Sequence, residues 1–216
     1  MTSDGFKQVA ELLTLITVAV IGFLLGRFQV YRLQHEGESL VSKSIATAFP
    51  LPSHHLLNSV TLPTEDGTTQ IDHVLVSRFG VFVIETKHYG GWIFANANSP
   101  VWTQVMFKRK SKFQNPLRQN FKHVKAVQSL LEFLPPQHIR SAVVFTGDGE
   151  FRTPRPEGVY SMKGLIEHLE GFKEEVMSEN RLQFCIGRLE WRRLALTRQT
   201  DVEHRARLQR RFGDRH

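Results

Sequence analysis

Apolar positions recur with different periods along this chain, and each period predicts a different element. Residues 12–26 carry no charged side chain, and the apolar character continues past Arg27 through Phe28, Val30 and Tyr31. About 20 such residues match what a bilayer core demands, so the run predicts one N-terminal transmembrane helix over about residues 9–31, with a cleaved signal peptide or a helix of a soluble core as the alternatives. Between residues 38 and 49, Val41, Ile45 and Ala48 or Phe49 return at helical spacing and predict a short amphipathic helix. Residues 70–77 and 81–87 are rich in Val, Ile and Leu, with Arg78-Phe79-Gly80 as the turn signal between them, and predict an antiparallel hairpin. Asn115-Pro116 reads as a helix start, Asn at the N-cap and Pro in the first helical position. Leu117, Phe121, Val124, Val127 or Gln128, Leu131 and Leu134 trace that helix's buried face, and Pro135-Pro136 ends it. Residues 140–145 and 158–160 read as strands, and residues 162–177, 180–196 and 199–211 as helices.

This alternation predicts an α/β fold, a mixed central sheet flanked by helices, with the transmembrane helix before it and C-terminal helices after it. The expected division is residues 1–34 for the membrane segment, 35–160 for the principal domain and 161–216 for an Arg-rich helical extension packed on that domain.

Against its apolar ground the hairpin carries three charges, Asp72, Glu85 and Lys87. Burying any of them unpaired would cost several kcal/mol. Glu85 and Lys87 are two residues apart and share a side of their strand. Pairings built on a two-residue loop at Phe79-Gly80, or on a four-residue loop over 78–81, set Asp72 opposite Lys87 with Glu85 one diagonal away on the same face. A three-residue loop would send Asp72 through the sheet. Two readings follow: a hard divalent cation bridging the carboxylates, or a plain ion pair within the sheet. Glu38, three residues before Val41 and seven before Ile45, falls on the inward stripe of its helix. There it either joins such a site or complements the helix dipole.

Gly37-Glu38, Gln70-Ile71-Asp72-His73, residues 80–87 (GVFVIETK) with Gly91-Trp92, then Trp102, then Asn115-Pro116-Leu117-Arg118-Gln119 resemble, in that order, the nuclease-related domain (NERD) family over roughly residues 35–147. That family is assigned to the restriction-endonuclease-like, PD-(D/E)XK superfamily. The resemblance therefore implies a mixed sheet between helices and a metal-dependent phosphodiesterase, a nuclease with DNA as its expected substrate. It implies Glu38, Asp72, Glu85 and Lys87 as catalytic residues and Gln119 as an accessory. Asp72, Glu85 and the backbone carbonyl of Thr86 would hold Mg²⁺ or Mn²⁺. Gln70 stands where an acidic residue is expected, and Phe94-Ala95 where a small one is. The alternative is a non-catalytic module that binds nucleic acid or protein beside a membrane.

Charge points the same way. The chain has a net charge of +7 and a pI near 9.8, which suits a polyanionic partner. Ten Arg against four acids lie between Arg181 and His216, and Lys108, Arg109, Lys110 and Lys112 form a second basic cluster. Arg118, Lys122 and Lys125 share one helical face. Nucleic-acid phosphates would be attracted to these groups, anionic lipid headgroups equally to the Arg-rich tail, and a solvated basic face explains the helix as well. Arg27 and Arg32 follow the apolar run while Lys7 precedes it, so the expected placement is a single-pass protein of the cytoplasmic membrane, its C-terminal domain in the cytoplasm. One cysteine, Cys185, makes an intramolecular disulfide impossible. Ten histidines occur without the Cys/His spacing of a structural zinc site, and no Gly-x-Ser-x-Gly elbow is present.

Overall fold

The computed structural model describes residues 3–65, 67–107 and 109–195, with side chains described for residues 13–22 and from residue 32 onward. They fall into two compact units that divide between Glu36 and Gly37. Helix α1 (Ser3–Ala48) supplies the first unit, and its turns from Gly37 belong to the second.

In the first unit Leu13, Leu15, Ile16, Val18, Val20 and Ile21 are each between 50% and 68% exposed. Among the described residues, however, no helix is long and apolar enough to cross a membrane, so the expected anchor finds no support. Part of the expected span, the side chains of residues 23–31, lies outside the described ones.

The second unit is a mixed α/β fold. Its principal sheet has the order β1-β2-β3-β7-β9: β1 (His54–Thr64), β2 (Gly67–Ser77) and β3 (Gly80–Lys87) are antiparallel neighbours, and β7 (Ile139–Phe145) and β9 (Val159–Ser161) join in parallel. Every residue of β3 except Lys87 is buried, as befits a central strand covered on both faces. On one face lie α2 (Pro116–Leu130) and α4 (Glu179–Arg192), whose Val124, Val127, Leu182, Cys185 and Leu189 meet Ile71, Val74 and Val83. On the other, Val41, Ile45 and Phe49 from the end of α1 and Leu165 and Leu169 from α3 (Met162–Glu170) cover Leu75, Phe82 and Ile84. The apolar period of residues 38–49 is thus real, but it closes a longer helix.

A second sheet, of order β6-β5-β4-β8, was not apparent from the hydropathy pattern. It is formed by β4 (Trp92–Phe94), β5 (Val101–Met106), β6 (Arg109–Gln114) and β8 (Glu150–Phe151), and it buries Trp102 against Phe145 and Ile93. Residues 171–177, expected to continue α3, are not helical, and the expected helix over 199–211 lies outside the described residues.

The β2–β3 turn is Arg78-Phe79 rather than Phe79-Gly80, with Ser77 opposite Gly80 and His73 opposite Ile84. Gly80 is needed as the first strand residue: its φ is +141°, and a Cβ there would lie 2.2 Å from Arg140 Nη1, which donates to the Phe79 carbonyl at 2.9 Å. Continued by one pair, this register brings Asp72 level with Glu85, where the sequence reading had set it opposite Lys87. The shift is an even one, so Asp72, Glu85 and Lys87 keep a common face.

Candidate functional site

The β2–β3 ladder stops at His73 and Ile84, and at the next position a side chain takes over its role. Asp72 Oδ2 accepts the Thr86 N–H at 2.7 Å, filling the place a strand carbonyl would have taken. The carboxylate is thereby fixed in place, and its remaining lone pairs are free to meet a ligand. Across from it, Glu85 Oε1 lies 2.5 Å from Lys87 Nζ, and Oε2 lies 3.2 Å from His123 Nε2. His123 is itself placed by Thr69, whose hydroxyl is 2.7 Å from Nδ1. From the opposite layer, Gly37 lets α1 come against the strand ends: a Cβ there would sit 2.7 Å from His88 Cβ and 2.8 Å from Thr146 Oγ1. Glu38 follows directly, near enough to act on Asp72.

Burial and like charge shape the electrostatics. Burial pushes the Asp72 carboxyl well up, and the neighbouring Glu85 and Glu38 carboxylates push it further; Lys87 and the Thr86 N–H oppose them without prevailing. Burial alone would raise Glu85 as well, but the Lys87 ammonium and then His123 hold its carboxyl below the usual range. Lys87 is lowered by burial and raised by Glu85 and Asp72, and ends above an ordinary lysine. The cluster is thus one tight pair, Glu85 with Lys87, beside a second carboxylate that lacks a full counter-charge. Among the described residues, no three carboxylate, imidazole or thiolate groups gather closely enough to hold a cation as they stand.

The other residues expected to matter are dispersed. Gln119 and Lys122 stand on the α2 wall of a cleft beside the cluster. Arg118 donates to the Asn98 carbonyl at 2.7 Å. Arg109, Lys110 and Lys112 are exposed on β6, the edge strand of the second sheet, and Lys108 lies outside the described residues. Two residues went unnoticed in the sequence. One is His123. The other is Asn120, fully buried, whose Nδ2 donates to the carbonyls of Val83 and Ala142 and to Ser141 Oγ, tying α2 to β3 and β7 just beneath Glu85. The available signal was position: Asn120, His123 and Val127 fall on one helical stripe, so polar groups interrupt an inward face. Phe121, expected on that stripe, is 58% exposed instead.

An uncharacterized protein of Bacillus anthracis is 48% identical over 97 residues, which cover 44% of this chain and 45% of that protein, so the chain spans less than half of its relative's length. The nuclease-related domain family matches residues 33–146, more than half of the chain and the segment that carries Glu38, Asp72, Glu85, Lys87 and His123. This chain is therefore a member of the nuclease-related domain (NERD) family.

Proposed function

We propose that this protein is a divalent-metal-dependent phosphodiesterase that cuts nucleic acid, with DNA as the expected substrate. One observation carries the reading: Asp72, its Oδ2 held by the Thr86 N–H at 2.7 Å, stands beside the buried Glu85–Lys87 pair, with the Glu85 and Glu38 carboxylates both acting on it. Crowding of that kind is costly in a scaffold and is relieved by a divalent cation. The donors suit Mg²⁺ or Mn²⁺, being hard oxygens of Asp72, Glu85 and the Thr86 carbonyl, with Glu38 completing the set. Bound there, the metal would polarise the phosphoryl oxygen and lower the pKa of a coordinated water. The chain's own residues do the rest. The Thr86 N–H fixes the Asp72 carboxylate, His123 Nε2 stands 3.2 Å from Glu85 Oε2, and Lys87, anchored at the end of β3, offsets the charge that builds on the phosphate. The fold assignment that accompanies this reading is the restriction-endonuclease-like superfamily.

The test is incubation of the chain with linear, circular and single-stranded DNA, with and without Mg²⁺, beside the Asp72→Asn variant. Cleavage that needs the metal and vanishes in the variant is expected. Equal activity in the two proteins would remove Asp72 from the chemistry.

A second reading, a binding module without turnover, draws on the same cluster: Lys87 already satisfies Glu85 at 2.5 Å. Calorimetric titration separates the two, since that module would take up no Mg²⁺, or would bind it equally after Glu85→Gln. The membrane tether with a cytoplasmic domain is a separate proposal, resting on the apolar residues exposed on α1. Partition of the intact chain between membrane and soluble fractions tests it.

A further inference from the structure

The cleft beside the cluster measures about 830 Å³ and runs between α2, α4 and the far end of the β1–β2 hairpin. Its helical walls present Phe121, Lys122 and Lys125 from α2 and Arg188, Trp191 and Arg192 from α4. Each trio falls within little more than one helical turn, so each projects to one side of its helix. Four cations thus line the space, against Glu65 as the acid among its described lining residues. Two large rings stand in this polar setting without being buried: Trp191 is 74% exposed and Phe121 58%. Each has a cation close by, Lys125 Nζ at 5.4 Å from the Phe121 ring and the Arg192 guanidinium at 5.7 Å from the Trp191 ring. Neither ring contributes to the core, so packing does not account for them.

We propose that this cleft binds single-stranded nucleic acid, the bases stacking on Trp191 and Phe121 while Lys122, Lys125, Arg188 and Arg192 meet the phosphates. Exposed rings beside cations are what an unpaired nucleotide needs at its two ends, a π-face for the base and a positive charge for the phosphate. A duplex offers the phosphates but keeps its bases stacked inside, so the rings would contribute nothing to it. The position of the cleft gives the assignment its consequence. His123 lines the cleft and lies 3.2 Å from Glu85 Oε2, so a strand seated there is one side chain away from the carboxylates. This consequence, that a single strand or a frayed end is the form presented for cutting, rests on the nuclease reading; the binding itself does not.

The experiment measures binding in chelator, where no metal-dependent cutting occurs. Fluorescently labelled oligo-dT and oligo-U are titrated with the intact protein, and unlabelled single strand or hairpin duplex is then added as competitor. The expected results are preferential displacement by the single strand and a loss of affinity of about tenfold or more in Trp191→Ala/Phe121→Ala. Both rings are exposed, so an unchanged melting temperature should confirm that the double variant is folded. Trp92→Ala serves as the control. Trp92 is also exposed, 49%, with the Arg152 guanidinium 5.0 Å from its ring, but it lies on β4 outside the cleft, and its loss should leave binding unchanged. Equal displacement by duplex, or wild-type affinity in the double variant, overturns the assignment and leaves the exposed rings to a protein partner. Failure to cut DNA in Mg²⁺, with the affinity difference intact, would overturn the hydrolase reading and leave the cleft assignment standing.

Discussion

Glu85 and Lys87 illustrate how little freedom a charge has once it is placed in a buried strand. The Glu85 side chain is 1% exposed and that of Lys87 12%, and removing one member of such a pair strands the other. Lys87→Ala should therefore cost about 3–5 kcal/mol of stability, read from denaturant midpoints, in addition to any effect on catalysis. An unchanged midpoint would mean that Glu85 finds another partner. Asp72→Asn is the cleaner probe, because the amide oxygen can still accept from the Thr86 N–H. Asp72 binds its proton more tightly folded than unfolded, so its share of stability is present at low pH and is lost as pH rises above the ordinary carboxylate value of about 4. The variant should gain melting temperature relative to the wild type between pH 4 and 8, and Mg²⁺ should stabilise only the wild type. A constant difference across that range would argue against the crowding. His73 has the opposite sign. Its Nδ1 is 2.7 Å from Asn58 Oδ1, and burial lowers its pKa from 6.5 to about 4. Its contribution, about 3 kcal/mol, is complete above pH 6.5 and is lost as pH falls toward 4. A His73→Gln variant should flatten the acid limb of the stability profile in that window.

Helix α2 shows which parts of the fold local sequence can specify. Its start was legible because the N-cap is a local device: Asn115 Oδ1 accepts the Leu117 N–H at 2.9 Å, as the Asn-Pro pair predicts. Val124, Val127, Leu131 and Leu134 were legible because apolar spacing reports burial directly. Asn120 and His123 were not, since the groups that call them inward, the carbonyls of Val83 and Ala142 and the carboxylate of Glu85, are remote in sequence. Phe121 was misplaced for the same reason: the inward position was already taken by a polar neighbour. The second sheet escaped because β6 reads RKSKFQ, a charged edge strand without apolar alternation, joined to β5 by a turn in which Phe107 has φ +55°. The charged hairpin was the most readable part of the candidate site, because ionisable groups inside apolar strands demand a reason, whereas its register hinged on whether Gly80 belonged to the turn or to the strand. Asn120→Ala tests the buried tie. It removes the donor from two carbonyls and a hydroxyl, so it should lower stability by about 1–3 kcal/mol or more, measured by urea unfolding. Phe121→Ala, at an exposed position on the same helix, should stay within about 0.5 kcal/mol of the wild type.

At the scale of the whole molecule, the sheet that carries the charged cluster is closed by segments distant in sequence. The end of α1 supplies Val41, Ile45 and Phe49 to one layer, and α4 supplies Leu182, Cys185 and Leu189 to the other. The two ends of the chain therefore differ in what can be removed. The second unit begins at Gly37 and the family match at residue 33, so a fragment starting at residue 33 retains every described core residue of that unit. Ending the chain at residue 178 takes away three buried core side chains and, with Arg188, Trp191 and Arg192, one wall of the cleft. Each buried Leu is worth about 1.5–3 kcal/mol of transfer free energy, so the two leucines alone cost about 3–6 kcal/mol, a large share of the roughly 5–15 kcal/mol that holds an ordinary domain folded. Cys185 is a built-in reporter of whether α4 is seated. It is the chain's one thiol, and burial pushes its pKa up to about 11, which leaves almost no thiolate at neutral pH. In the intact chain and in the fragment starting at residue 33, Cys185 should resist iodoacetamide until denaturant unfolds the domain, and the two should melt together. Leu182→Ala/Leu189→Ala, which loosens α4 without removing it, should bring alkylation to lower denaturant. Rapid alkylation of the intact native chain would show that α4 does not close the core.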